Sequence, residues 1–213
     1  PRSTLFPYTT LFRSLFINPT GTALPLASIE AVLDAAPGMV VVDEAYAEFR
    51  RAGTPSALTL LGGHPRLIVT RTMSKAFAMA GTRLGYLAAD PAVIDALLLV
   101  RLPYHLSAVT QAVARTALAH GAELLGGVEA LRRDRDAIVE WLRGEGLRVA
   151  DSDANFVLFG TFPDRRAVWE AMLARGVLIR EVGPPEWLRV SVGTPDEMAA
   201  FRTALAEALK ESS

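Results

Sequence analysis

The sequence predicts an α/β layer with a mainly parallel sheet, followed by a smaller C-terminal α+β unit. Three observations carry that reading. The short runs Met39–Val42 and Arg66–Thr70 are dominated by apolar residues and separated by helix-length segments, as in strands buried on both faces of a parallel sheet. Asp90-Pro91 and Thr194-Pro195-Asp196-Glu197 combine capping side chains with proline at the first helical position, which marks two helix starts. Beyond residue 147 the order becomes strand, helix, strand, strand, helix, a compact α+β arrangement.

Taken in order, Pro1–Ser14 has neither helical nor strand periodicity and no apolar centre of a signal peptide. It reads as an artefactual tail outside the fold, with folded sequence starting at Leu15. Leu15-Phe16-Ile17 closes a strand that enters the turn Asn18-Pro19-Thr20-Gly21. Ser28–Ala36 is helical and stops at Pro37-Gly38. Met39–Val42 is a strand ending at Asp43-Glu44, Arg66–Thr70 is a second, and Arg83–Ala88 a third. The helix opened by Asp90 runs to about Leu102, before Pro103. Ser107–Arg143 is helical but broken at Gly126-Gly127, with Val128, Leu131, Ile138 and Leu142 on one face; Gly144 and Gly146 stop it. Phe156–Phe159, Val177–Val182 and Trp187–Val192 are strands, and Arg165–Ala174 is a helix. The resulting division is a tail at 1–14, a larger α/β domain at 15–103, bridging helices at 104–146 and a small domain at 147–213.

Composition narrows the function. The chain has 213 residues, net charge −1 and 51% hydrophobic residues, which suits a globular core and gives no electrostatic ground for nucleic acid as partner. It has no cysteine, so disulfide scaffolds, thiolate metal sites and a cysteine nucleophile are excluded. His64, His105 and His120 lack metal-ligand spacing, so no metal is expected. No run reaches the ~18 apolar residues of a membrane span, and a cytoplasmic enzyme or subunit is the expectation.

Four features carry chemistry: Asn18 in NPTG, Asp43 and Tyr46 in VVVDEAY, Lys75 in RTMSKAF, and Arg83 in AGTRLGY. Each polar group sits just beyond an apolar strand, and strand ends on one edge of a parallel sheet line the crevice where ligands bind. Singly, each has a plainer reading: Asn18 as a turn former, Lys75 as a solvated lysine, Arg83 in a structural ion pair. Asp43-Glu44 as a magnesium site lacks the phosphate loop such a site needs.

Together, the order and spacing resemble the fold-type I pyridoxal-phosphate (PLP) aminotransferases, and within them the histidinol-phosphate aminotransferases. The resemblance runs from Leu15 to about Lys210, and RTMSKAFAMAGTRLGY is its most specific piece. It implies a partial PLP-transferase large domain and a small domain. It also implies that Lys75 holds the cofactor as a Schiff base and shuttles a proton at the substrate. Asp43 would pair with the pyridine nitrogen, Asn18 and Tyr46 with the phenolic oxygen, and Arg83, Ser74 and Thr72 with the phosphate. Arg189 in LRVSVGT, with Arg180, would bind the acidic end of the substrate. Asn155 and Tyr104 match family positions near the site; a structural role for Asn155 and core packing for Tyr104 are the alternatives. Trp141, Trp169 and Trp187 read as packing residues.

The implied reaction is amino transfer between L-histidinol phosphate and 2-oxoglutarate, in a homodimer. The family carries well over a hundred residues ahead of NPTG, so the chain reads as N-terminally truncated, with apolar faces exposed, weak PLP binding and little or no turnover of its own. The alternatives are an aromatic or broad-range aminotransferase, a threonine-phosphate decarboxylase of the same fold, and a non-catalytic remnant or interaction module.

Overall fold

The computed structural model describes residues 12–15 and 18–211. The chain divides into two compact units. The first takes Leu24–Glu48, Ala52–Gly126 and the described residues before Asn18; the second takes Asn18–Ala23, Phe49–Arg51 and the chain from Gly127 onward.

The first unit holds a four-stranded sheet in the order β1-β2-β3-β4. β1 (Phe12–Leu15), β2 (Met39–Asp43) and β3 (Leu67–Thr72) are parallel, and β4 (Gly85–Ala89) runs antiparallel to β3. β1 begins earlier than expected: Arg13 and Ser14, set outside the fold on sequence grounds, pair with Val40 and Val41. Its backbone offers the same ladder groups whatever its side chains, and β2 supplies the partner. Phe16 and Ile17 lie outside the described residues.

Helix α1 (Leu26–Ala35) buries Ile29 and Leu33 with Val40, Val42, Leu67 and Val69. β2 is therefore fully buried on one face, with Met39 and Val41 only half-buried on the other. Arg66 closes the end of α1 by donating to the carbonyls of Leu33 (2.5 Å), Ala36 and Gly38 (3.2 Å), where an unpaired helix terminus favours a cation. Helix α2 (Pro91–Val100) starts where the sequence indicates, with the Asp90 carboxylate accepting from Ala92 N–H at 2.9 Å. It buries no residue, and Leu99 is 87% exposed. Leu102, Val109 and Leu118 are likewise largely exposed.

α3 (Ala108–Ala119) and α4 (Gly121–Gly144) meet at His120, and α4 is continuous through Gly126-Gly127. Two helical glycines cost only about 1 kcal/mol each. Burial of Val128, Ile138, Val139 and Leu142 along the later turns outweighs that cost.

The second unit contains the antiparallel sheet β5 (Arg148–Val149), β6 (Phe156–Gly160) and β7 (Trp187–Ser191). It is covered by the later part of α4, by α5 (Arg165–Ala174) and by α6 (Pro195–Glu211). Phe159 packs edge-on against Phe162 and Phe201 at 5.7 and 5.8 Å, among Ile138, Leu142, Met172, Leu188 and Leu205. Trp141 and Trp169 pack against this core. α6 opens with a capping box: Thr194 N–H donates to Glu197 Oε2 at 2.7 Å and Glu197 N–H to Thr194 Oγ1 at 3.3 Å.

Val177–Val182 is not a strand. Gly176 and Val177 donate to Leu173 and Met172 carbonyls to finish α5, Gly176 being at φ +77°, so the first residues of that run belong to a helix ending. Only Arg180 pairs, with Arg189.

Candidate active site

In the first unit, chemistry gathers at the carboxyl edge of the sheet. Asp43 ends β2 opposite Thr70 of β3, and the chain continues through Ala45 and Tyr46. The Asp43 carboxylate accepts from Ala45 N–H at 3.0 Å and Thr70 Oγ1 at 3.4 Å, which orients it at the strand end. β3 ends at Thr72, whose hydroxyl donates to Leu84 O at 3.3 Å and accepts from Ser74 N–H at 3.1 Å. Thr72 is thus committed to shaping the turn that carries Ser74 and Lys75. Lys75 is exposed, with its amine 5.6 Å from the centre of the Tyr46 ring.

Arg83 precedes a strand instead of following one. Because β4 is antiparallel, with Gly85 opposite Thr72, the start of β4 shares the edge where β3 ends. Arg83 occupies the left-handed region (φ +51°), is exposed, and donates to Ala80 O at 3.1 Å. Gly85 is needed there: a Cβ would stand 2.8 Å from Arg71 O.

Below this edge lies a network absent from the sequence reading. Glu44 accepts from Arg71 Nη2 (2.7 Å), Arg71 Nε (3.2 Å), Ser56 Oγ (2.7 Å) and Ala57 N–H (2.7 Å), while Arg71 Nη1 reaches Glu48 at 3.3 Å. Burial works against the Arg71 charge, but the bond to Glu44 and the charges of Glu44 and Glu48 prevail and raise its pKa.

In the second unit, Arg180 and Arg189 face each other as an antiparallel pair, each N–H donating to the other's carbonyl at 2.9 Å. Directly opposed residues send their side chains to one face of a sheet, where like charges repel and an anion is welcome. A cavity of about 490 Å³ is lined by both arginines, Ser191 and Glu197. Arg189 lies over the Phe156 ring at 4.6 Å and donates to Asn18 Oδ1 at 2.6 Å. Asn155, partly buried, accepts from Val192 N–H through its backbone carbonyl at 2.9 Å. Tyr104, in the first unit, is 99% exposed at φ +56°, so core packing is not its role.

The NPTG turn is held tightly. A Cβ on Gly21 (φ +81°) would meet Ser152 Oγ at 2.9 Å, and Asp153 N–H donates to Gly21 O at 2.7 Å. Asp153, 1% exposed, accepts from Ala23 N–H (3.0 Å), Arg51 N–H (3.0 Å), Arg51 Nε (3.2 Å) and Arg51 Nη2 (3.1 Å). Burial pushes its carboxyl pKa up, but those donors outweigh burial and hold it below the ordinary value. Arg135, also 1% exposed, donates to the carbonyls of Phe49 and Ala154.

Fold and lysine-bearing edge together define a class of protein: residues 12–205 match the family aminotransferase class I and II, and the chain belongs to it. It is 74% identical over 188 residues to a histidinol-phosphate aminotransferase of Thermobifida fusca, and 66% identical over 192 residues to histidinol-phosphate aminotransferase 3 of Burkholderia lata. Those matches cover 88% and 90% of this chain but 51% and 52% of the relatives, so the chain spans about half the length of the curated relatives it matches. Among solved structures, histidinol-phosphate aminotransferase from Sinorhizobium meliloti in complex with pyridoxal-5'-phosphate superposes with a TM-score of 0.82 at 28% identity. That match covers 95% of this chain and 57% of that one.

Proposed function

We propose that this chain carries the lysine and the anion-binding arginines of a PLP-dependent aminotransferase acting on L-histidinol phosphate and 2-oxoglutarate. The observation that carries the reading is the Lys75 amine over Tyr46 at the sheet edge where Asp43 ends β2. The donor set suits the cofactor: a primary amine, a carboxylate for a ring nitrogen, a phenol, and an exposed guanidinium beside a serine-bearing turn for a phosphate. The identity to histidinol-phosphate aminotransferases supports the choice of substrate.

When bound, PLP supplies an electron sink for charge left at the substrate Cα. The protein's part is placement and proton control. Lys75 Nζ is the primary amine that would hold the cofactor, and it would carry a proton at the substrate carbon. Asp43 would keep the pyridine nitrogen protonated, and Asn18 and Tyr46 would hydrogen-bond the phenolic oxygen. Arg83 and Ser74 would take the phosphate, with Thr72 shaping the turn that carries Ser74. Arg189 and Arg180 would hold the substrate by its anionic end. The assembled enzyme is read as a cytoplasmic homodimer, on the family resemblance.

The chain offers a clean test because Lys75 and Lys210 are its only lysines. Incubation with PLP, borohydride reduction and peptide mapping should place the label at Lys75, with Lys210 as internal control, and Lys75→Ala should lose it. Equal labelling of both, or label at Lys210 alone, overturns the reading.

A further inference from the structure

The Asp153 carboxylate is the most heavily bonded buried acid described in the second unit, and nothing in the proposed chemistry uses it. Its four donors come from two segments far away in sequence: Ala23, just after the NPTG turn, and Arg51. Its own N–H holds Gly21 O, so the turn is gripped on both sides of Thr22, whose hydroxyl donates to Asp151 O at 2.6 Å. Close packing completes the grip: Gly21 abuts Ser152 and Phe156, and Gly183 abuts Pro19. The residue presented by this turn is Asn18, and Asn18 is bonded to Arg189.

We infer that Asp153 is a positioning residue: by clamping the NPTG turn it fixes the Asn18 carboxamide on Arg189, and so sets how that guanidinium is presented to an anion. The geometry favours positioning over bulk stability alone. An arginine on a long flexible stem loses rotamer freedom when it binds, and a partner that orients it beforehand lowers that cost. Asn18 can orient Arg189 only if its own backbone is fixed, and the backbone of the turn is fixed by the Asp153 carboxylate and amide. This inference rests on the reading of Arg180 and Arg189 as an anion site.

The test uses the full 213-residue chain and inorganic phosphate as probe. Phosphate affinity is measured for the wild type, the single variants Asp153→Asn, Asn18→Ala, Arg180→Ala and Arg189→Ala, and Asp153→Asn combined with Asn18→Ala or with Arg180→Ala. Hydrogen exchange of residues 20–23 is followed in parallel. Asp153→Asn should weaken phosphate binding by about three- to tenfold, the worth of one hydrogen bond, and should deprotect the turn. Asn18→Ala should add no further loss in that background, whereas Arg180→Ala should add its full effect. A purely structural role predicts additive losses for both pairs and overturns the inference. So does unchanged exchange at residues 20–23. Phosphate binding in the wild type that is insensitive to Arg189→Ala sinks the anion-site reading instead, and the exchange data then judge the clamp alone. If Asp153→Asn fails to fold, Arg51→Lys, altering a side chain that is 41% exposed, must show the same non-additive pattern.

Discussion

Arg189 Nη1 donates to Asn18 Oδ1 at 2.6 Å across 171 residues of sequence. Two motifs that read as separate signals, NPTG and LRVSVG, therefore meet within one structural unit. The arginine is pinned by three different interactions: an amide acceptor, the Phe156 ring at 4.6 Å, and the backbone pairing with Arg180. A planar guanidinium with several donors in fixed directions accommodates all of these at once.

Arg189→Lys preserves charge but not planarity. An ammonium cannot lie over Phe156 as a flat face while donating to Asn18. Phosphate affinity should fall about tenfold, with a change in unfolding free energy below about 1 kcal/mol, because the side chain is only partly buried. Calorimetric titration and urea denaturation of the same preparation read both quantities.

Acid should unfold the second unit partly through Asp153. Its folded-state pKa lies below the ordinary carboxylate value, so the folded chain binds fewer protons there than the unfolded chain. The stabilisation is complete above the ordinary carboxylate range and is lost as pH falls through the lowered value. Asp151 is shifted the same way, by Arg143 first and then Arg51, but it is half exposed and solvent screens it. At neutral pH, Asp153→Ala should cost about 3 kcal/mol, since it strands the amides of Ala23 and Arg51. The variant should also show a shallower loss of stability as pH falls from the ordinary carboxylate range through the lowered value. Urea unfolding at several pH values measures both effects.

Glu44→Gln tests the other polar network. The glutamine keeps the shape, but one oxygen becomes a donor facing Arg71, Ser56 or Ala57 N–H, each of which is itself a donor. Arg71 then keeps Glu48 as its carboxylate partner, together with the Ser56 hydroxyl. Breaking a largely buried pair from one side costs about 3–5 kcal/mol. A loss of that order in chemical denaturation is expected. Arg71→Lys should lose less, because charge is retained while the fork geometry is not.

Much of the first unit was legible in sequence because its strands are short apolar runs with punctuated ends, and Asp43 and Lys75 stand where those runs stop. The capping box at Thr194 and the start of α2 at Asp90 were local signals, and local signals read well. What could not be read was long-range. No feature near Asp153 announces Arg51, 102 residues earlier, and α4 gives no hint that Arg135 will reach Phe49 O. Two expectations failed: glycines at 126–127 were overruled by packing elsewhere on the helix, and Val177, expected to begin a strand, helps finish α5. Glu44 and Arg71 carried a usable signal, being charged residues at the ends of apolar strands.

Gly85→Ala examines whether the edge that carries Lys75 and Arg83 depends on the close β3–β4 approach. The new Cβ would stand 2.8 Å from the carbonyl oxygen of Arg71, a backbone atom in the paired strand, so no side-chain rotation relieves the contact. Relief requires the two strands to part at the Thr72–Gly85 pair, the point from which the chain turns towards Ser74 and Lys75 on one side and Arg83 on the other. Such overpacking costs about 1–3 kcal/mol. Gly81, four residues earlier, has open space around its Cβ position and an ordinary φ, so Gly81→Ala should be neutral or stabilising by up to about 1 kcal/mol. Borohydride capture of PLP at Lys75 should drop in Gly85→Ala and persist in Gly81→Ala. Equal capture in both, despite the stability difference, would mean that the lysine is placed by its own turn and not by the strand pairing beneath it.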